Sequence, residues 1–141
     1  MAHTDKNVEW INSTATETQD GVETRYCPHC GQISDVTRIA YATGTAGLEF
    51  TLEQDGTYSV KKGIASGTEI FIPKYHNRIP VTKIGLHAFM GDTTILSVTL
   101  PDTITVIDGG AFWGCSSLES INLPRGLLTI GNGAFAECTA L

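Results

Sequence analysis

The segments Ile84-Gly-Leu-His-Ala-Phe89, Ile107-Asp-Gly-Gly-Ala-Phe112 and Ile130-Gly-Asn-Gly-Ala-Phe135 return at a fixed interval of 23 residues. The register holds through the whole unit: Ile95, Leu118 and Leu141 align, as do Val98 with Ile121, Leu100 with Leu123, Pro101 with Pro124 and Ile104 with Leu127. A unit this short cannot bury its apolar row alone, so successive units must stack and cover one another. An earlier copy is visible in Glu69-Ile-Phe-Ile-Pro73, which matches Ser97-Val-Thr-Leu-Pro101 and Ser120-Ile-Asn-Leu-Pro124. Pro73 to Ile84 is 11 residues where Pro101 to Ile107 is 6, which places a five-residue insertion around residues 74–80.

Ser97 to Leu100 alternates polar and apolar, the signature of a strand with one buried face, and the proline after it ends it by withholding a ladder donor. Val98 and Leu100 are expected to point inward, Ser97 and Thr99 outward. The Ala-Phe pair reads as the turn back, with Ala permitting close approach and Phe89, Phe112 and Phe135 forming one stacked column in the core.

The pattern I-G-x-x-A-F-x-x-C-x-x-L-x-x-I-x-L-P, read from Ile107 through Pro124 with Asp108 in place of the first Gly, resembles the BspA-type leucine-rich repeat. The resemblance covers about residues 57–141. The copies depart from it at Asp92, where the others have Cys115 and Cys138, and at Glu137, where the others have Gly91 and Gly114. It implies a mainly β leucine-rich-repeat solenoid in a secreted or cell-surface bacterial protein, extracellular, with a non-catalytic role in adhesion. The implied partner is a protein ligand, a host matrix protein or another cell-surface protein.

The chain divides into four segments. Residues 1–22 are rich in Thr, Ser, Asn and Asp without a helical period and are expected as a loose arm. Residues 23–47 hold a Cys-x-x-Cys knuckle and a linker. Residues 48–62 read as a β-hairpin, Leu48-Glu-Phe-Thr-Leu52 and Thr57-Tyr-Ser-Val60 joined through Asp55-Gly56, that caps the first repeat with Leu48, Phe50 and Leu52 on one side. Residues 63–141 are the solenoid, whose last repeat is incomplete. It is expected to be the edge of a longer array or to support a homodimer through its uncapped end.

Cys27-Pro-His-Cys30 is the one motif with chemical precedent. Two thiolates at this bite suit a tetrahedral zinc, with Gly31 allowing the tight knuckle, but they supply half a site: there is no second Cys-x-x-Cys. The same tetrapeptide occurs in periplasmic thiol-disulfide oxidoreductases, where a helix N-terminus lowers the first thiol's pKa; here a β-leaning run comes next. A local disulfide or an unligated knuckle is the third reading. Cys115 and Cys138, one repeat apart, are expected as buried thiols acting as small hydrophobes.

Nine Lys and Arg against 15 Asp and Glu give a formal charge of −6, and the basic footprint of a nucleic-acid binder is missing. No apolar run is long enough to span a bilayer, and the first residues lack the apolar stretch of a secretory signal. No G-x-S-x-G or H-E-x-x-H occurs. The chain therefore reads as no enzyme. The surface left for function is the outward row of the repeat strands, Glu69, Ser97 and Ser120 in one column and Phe71, Thr99 and Asn122 in the next, on which a protein ligand docks. Two other functions compete: a spacer or scaffold in a larger surface protein, and a thiol-disulfide oxidoreductase using Cys27 and Cys30.

Overall fold

A computed structural model describes residues 9–11, 13–28, 30, 31 and 33–141. In chain order the strands are β1 (Glu9–Ile11), β2 (Gly21–Tyr26), β3 (Ile33–Ala40), β4 (Glu49–Leu52), β5 (Tyr58–Lys61) and β6 (Glu69–Phe71). They continue with β7 (Tyr75–His76), β8 (Ile79–Ile84), β9 (Ser97–Thr99), β10 (Val106–Ile107), β11 (Ser120–Ile121) and β12 (Thr129–Ile130).

The repeat period becomes a parallel register. Val106 lies opposite Lys83 and Thr129, and Ser97 lies opposite Ser120, each partner one repeat away. Glu69 lies opposite Ser97, so the five-residue insertion is absorbed without loss of register. β6, β9 and β11 form a short sheet in the order β11-β9-β6. A long sheet runs β12-β10-β8-β5-β4, parallel except for the β4–β5 hairpin at its edge. The Ala-Phe pair lies in the turn back as read, within residues 109–114 of the second full repeat. The structure adds a second strand to each repeat, Val106-Ile107 and its equivalents, which the sequence reading did not name.

That turn carries its own ladder. The Phe89 N–H donates to Ala111 O at 2.6 Å and the Phe112 N–H to Ala134 O at 2.8 Å, so a third face is also hydrogen-bonded from coil to coil. Inside, Phe89 and Phe112 stack at 5.3 Å between centroids and 2° between planes, and Phe112 and Phe135 at 5.4 Å and 6°. Ile84, Ile95, Ile104, Ile107 and Leu118 are fully buried around this column, which confirms the expected core.

The β4–β5 hairpin forms as expected, with Leu48 and Phe50 packed on the core, although Leu52 beside its turn remains 56% exposed. Where a loose arm and a linker were expected, β1, β2 and β3 form a three-stranded antiparallel sheet. Arg38 ties it together, its Nε donating to Glu23 at 2.6 Å while its guanidinium lies 4.2 Å from the Trp10 ring centroid. These partners are far apart in a polar, non-periodic stretch, so no local pattern announces them. Residues 1–8 and 12 of the expected arm lie outside the described residues.

Within the N-terminal part, the β1–β2 connection is tied to the stretch after β3: Thr43 and Gly44 N–H groups donate to Thr16 O and Glu17 O, and the Ala42 N–H to Asp20. Arg78 Nη1, donating to Ile39 O at 2.8 Å, and the Thr45–Phe71 bonds join this part to the solenoid.

Candidate functional site

Each repeat contributes one residue to every column of the short sheet, so the outward rows are fixed by register. Glu69, Ser97 and Ser120 do stand side by side, and Phe71 lies beside Thr99. Glu69, Thr99 and Ser120 are exposed and Ser97 is half-buried. The parallel backbone beneath them holds these side chains at fixed spacing, which lowers the ordering cost of docking a ligand.

Two of the expected face residues are engaged in the fold itself. Phe71 is not the open aromatic the alternation suggested. Its N–H donates to Thr45 Oγ1 at 2.8 Å, its carbonyl accepts the Thr45 N–H at 2.9 Å, and its ring is half-buried. Phe71 lines a cavity of about 280 Å³ with Thr18, Asp20, Tyr41 and Lys74. Asn122 turns its amide onto the preceding coil: Oδ1 accepts the Leu100 N–H at 2.7 Å and Nδ2 donates to Leu100 O at 2.8 Å. The side chain thus takes the place of a strand partner, and Leu123 swings out to 54% exposure where its equivalent Leu100 is 3% exposed.

The column of Asp92, Cys115 and Cys138 runs inside. Cys115 Sγ donates to Phe89 O at 3.1 Å and Cys138 Sγ to Phe112 O at 3.0 Å. Burial pushes the Cys115 thiol up to about 11 and the Cys138 thiol up as well, so both keep the proton that makes these bonds. The departure from cysteine at Asp92 has a partner. Lys62 Nζ lies 2.9 Å from its carboxylate, and the Thr94 N–H and hydroxyl donate at 2.9 and 2.7 Å. Burial alone would raise this carboxyl, but those bonds hold it below the ordinary value.

Cys27 is buried and Cys30 exposed, in the turn that joins β2 to β3. The Gly31 N–H donates to Cys27 O at 2.9 Å, and Gly31 takes φ +70°, the left-handed geometry a knuckle needs. The next element is the strand β3, not a helix whose N-terminus would lower a thiol's pKa. Among the described residues no third His, Cys, Asp or Glu joins the pair to complete a metal site. His29 of the tetrapeptide lies outside the described residues.

Sequence reasoning missed a cleft of about 620 Å³ between the N-terminal sheet and the β7–β8 hairpin. Tyr41 packs on Tyr75 at 4.2 Å between centroids, and Phe50 stacks on His76 at 3.9 Å. Burial of His76 lowers its pKa. The only signal in the sequence was the five-residue insertion, which builds β7 and the turn after it.

The profile of the BspA type leucine rich repeat region matches residues 65–141, in six copies. Among solved structures, a leucine-rich repeat protein of T. pallidum is 29% identical with a TM-score of 0.65, over 67% of this chain and 45% of that one. A leucine rich cell surface protein from Faecalibacterium prausnitzii is 31% identical with a TM-score of 0.60, over 68% of this chain and 28% of that one. A leucine-rich repeat protein from Bacteroides capillosus is 36% identical with a TM-score of 0.61, over 67% of this chain and 74% of that one. The chain thus spans less than half the length of the first two. Among curated proteins no relative matches.

Proposed function

Because the chain belongs to the BspA-type leucine-rich repeat family, we propose that it is a non-catalytic protein-binding module of a secreted or cell-surface protein. Its ligand docks on the outward face of the short sheet. The observation that carries this reading is the column geometry. Glu69, Ser97 and Ser120, with Thr99 beside them, are presented at strand spacing on a rigid parallel ladder with one acidic group among hydroxyls. Such a face offers many hydrogen bonds and little charge to desolvate, which suits a folded protein surface. Location at the cell surface is supported by the F. prausnitzii neighbour, described as a cell surface protein.

The test is binding of the chain to a panel of soluble matrix glycoproteins by surface plasmon resonance. Thr99→Lys with Ser120→Glu should cut any binding tenfold or more. Binding that survives both changes moves the ligand elsewhere.

A scaffold role is the second reading. The last coil leaves Leu123, Leu128, Ile130 and Leu141 between 47% and 82% exposed. A following repeat or a second copy of the chain would cover that row, and sedimentation at increasing concentration tests the second.

A further inference from the structure

The aromatic cleft between the N-terminal sheet and the β7–β8 hairpin has features that the short-sheet reading does not use. The chain carries −6 overall and has four arginines, yet two of them, Arg38 and Arg78, line this one cleft with a single carboxylate, Glu23. Glu23 is already neutralised by Arg38 at 2.6 Å. Arg78 has no ion pair among the described residues. Its Nη1 donates to Ile39 O, and its guanidinium lies 5.0 Å from the Tyr41 ring centroid. The group is therefore held in place by one acceptor and one ring face, and its Nε and Nη2 edge is left for another acceptor.

The backbone beneath Arg78 is unusual in the same sense. His76 pairs with Ile79 across a two-residue turn in which Asn77 has φ +48° and Arg78 φ +64°. Such turns favour glycine at these positions, because a Cβ in the left-handed region costs about 1–2 kcal/mol. An arginine kept there at that cost points to a use for its side chain. Around it the walls are apolar rings, Tyr41, Tyr75 and Phe50, and the floor is the Ala-, Thr- and Gly-rich stretch 42–47. About 620 Å³ lies within the range of ligand pockets and holds a few residues of extended chain.

We propose that this cleft binds an acidic peptide segment of a partner protein. The Arg78 fork takes a Glu or Asp carboxylate and the rings flank its apolar neighbours. Charge complementarity selects the occupant: the lining itself carries a surplus of one positive charge, Glu17 standing behind the floor on the Ala46 N–H, and the fork of parallel N–H groups on Arg78 matches the two oxygens of a carboxylate. A basic peptide would meet an unpaired guanidinium instead.

The probe is an acetylated, amidated hexapeptide of alternating Glu and Leu, titrated into the whole chain at low salt by calorimetry, beside its Gln-for-Glu counterpart. Binding of the Glu peptide at least tenfold tighter than the Gln peptide is expected. Amide shift changes should fall on residues 41–47 and 75–78. Arg78→Gln should weaken the Glu peptide tenfold or more, Arg78→Lys less, and Arg125→Gln, on the last coil, not at all. Equal binding of the two peptides, no binding at millimolar concentration, or shifts confined to the short-sheet face would overturn the proposal. The comparison of the two peptides on the unaltered chain stands even if Arg78→Gln loosens the contact to Ile39. Failure here leaves the short-sheet reading untouched, since the two surfaces share none of the residues varied.

Discussion

The two ends of the stack are treated differently, although the same repeat lies beneath both. At the N-terminal end each of the three faces is closed by a separate device. The β4–β5 hairpin extends the long sheet, Thr45 satisfies both backbone groups of Phe71 at the edge of the short one, and the Lys62 N–H donates to Ala88 O on the turn face. Lys62 also supplies the ammonium for Asp92, where the internal cysteine column stops. At the other end Ile130 is 47% and Leu128 82% exposed, while Ile107, the residue equivalent to Ile130, is fully buried. A repeat position therefore has no fixed energetic value in a solenoid; its value depends on having a neighbour on both sides.

The largest expected contrast uses one substitution in two coils. Phe112→Ala removes a ring stacked on both faces and should cost about 3–5 kcal/mol in urea unfolding. Phe135→Ala, on a half-buried ring with one stacked face, should cost about half as much. Equal losses would mean that the last coil is covered in solution.

Asn122→Ala sharpens the picture on the short-sheet side of the last coil. It removes both bonds to the Leu100 backbone and should cost about 1–2 kcal/mol, since water reaches the groups left behind. Replacement by Asp, which keeps an acceptor but turns a carboxylate toward Leu100 O, should recover less than half of that.

The closed end should have a pH signature. The Asp92 carboxyl is held below its ordinary value of 3.8 in the folded chain, so its contribution is fully present above that value and is lost as pH falls through the lower folded one. Unfolding midpoints measured from pH 6 to pH 2 should therefore fall more steeply for the native chain than for Asp92→Asn. The difference is expected to be about 1 kcal/mol, because Lys62 is itself 38% exposed and can be solvated when its partner is neutral.

The smallest effect has the opposite sign. Glu137 takes φ +58° at the position where Gly91 and Gly114 have +76° and +74°. Glu137→Gly should relieve that strain and stabilise by about 0.5–1 kcal/mol, after the extra unfolded-state freedom of glycine is discounted. Thermal melting checks it.

The residues that repeat were legible, as was the hairpin marked by Asp55-Gly56, and the other non-repeating contacts were missed. The Phe column, the buried isoleucines and the pairing of Ser97 with Ser120 all derive from the 23-residue spacing. The second strand at Val106-Ile107 was missed because two residues are too few to show alternation. Of the face residues, Glu69, Thr99, Ser120 and Asn122 are exposed. Asn122 and Phe71 occupy the right column but spend polar groups on Leu100 and Thr45, partners 22 and 26 residues away.

What the sequence determined alone is the interior of the stack, because a parallel array places equivalent residues over one another and a fixed period then states every contact. What only the tertiary structure decided is everything made between unlike segments: the sheet of β1–β3, the closure by Thr45, the bond from Arg78 to Ile39 and the cleft that bond borders. Those contacts join residues as much as 39 positions apart with no repetition to mark them. They form because the closed end must satisfy its backbone and cover its apolar row, a demand that no single stretch of chain records.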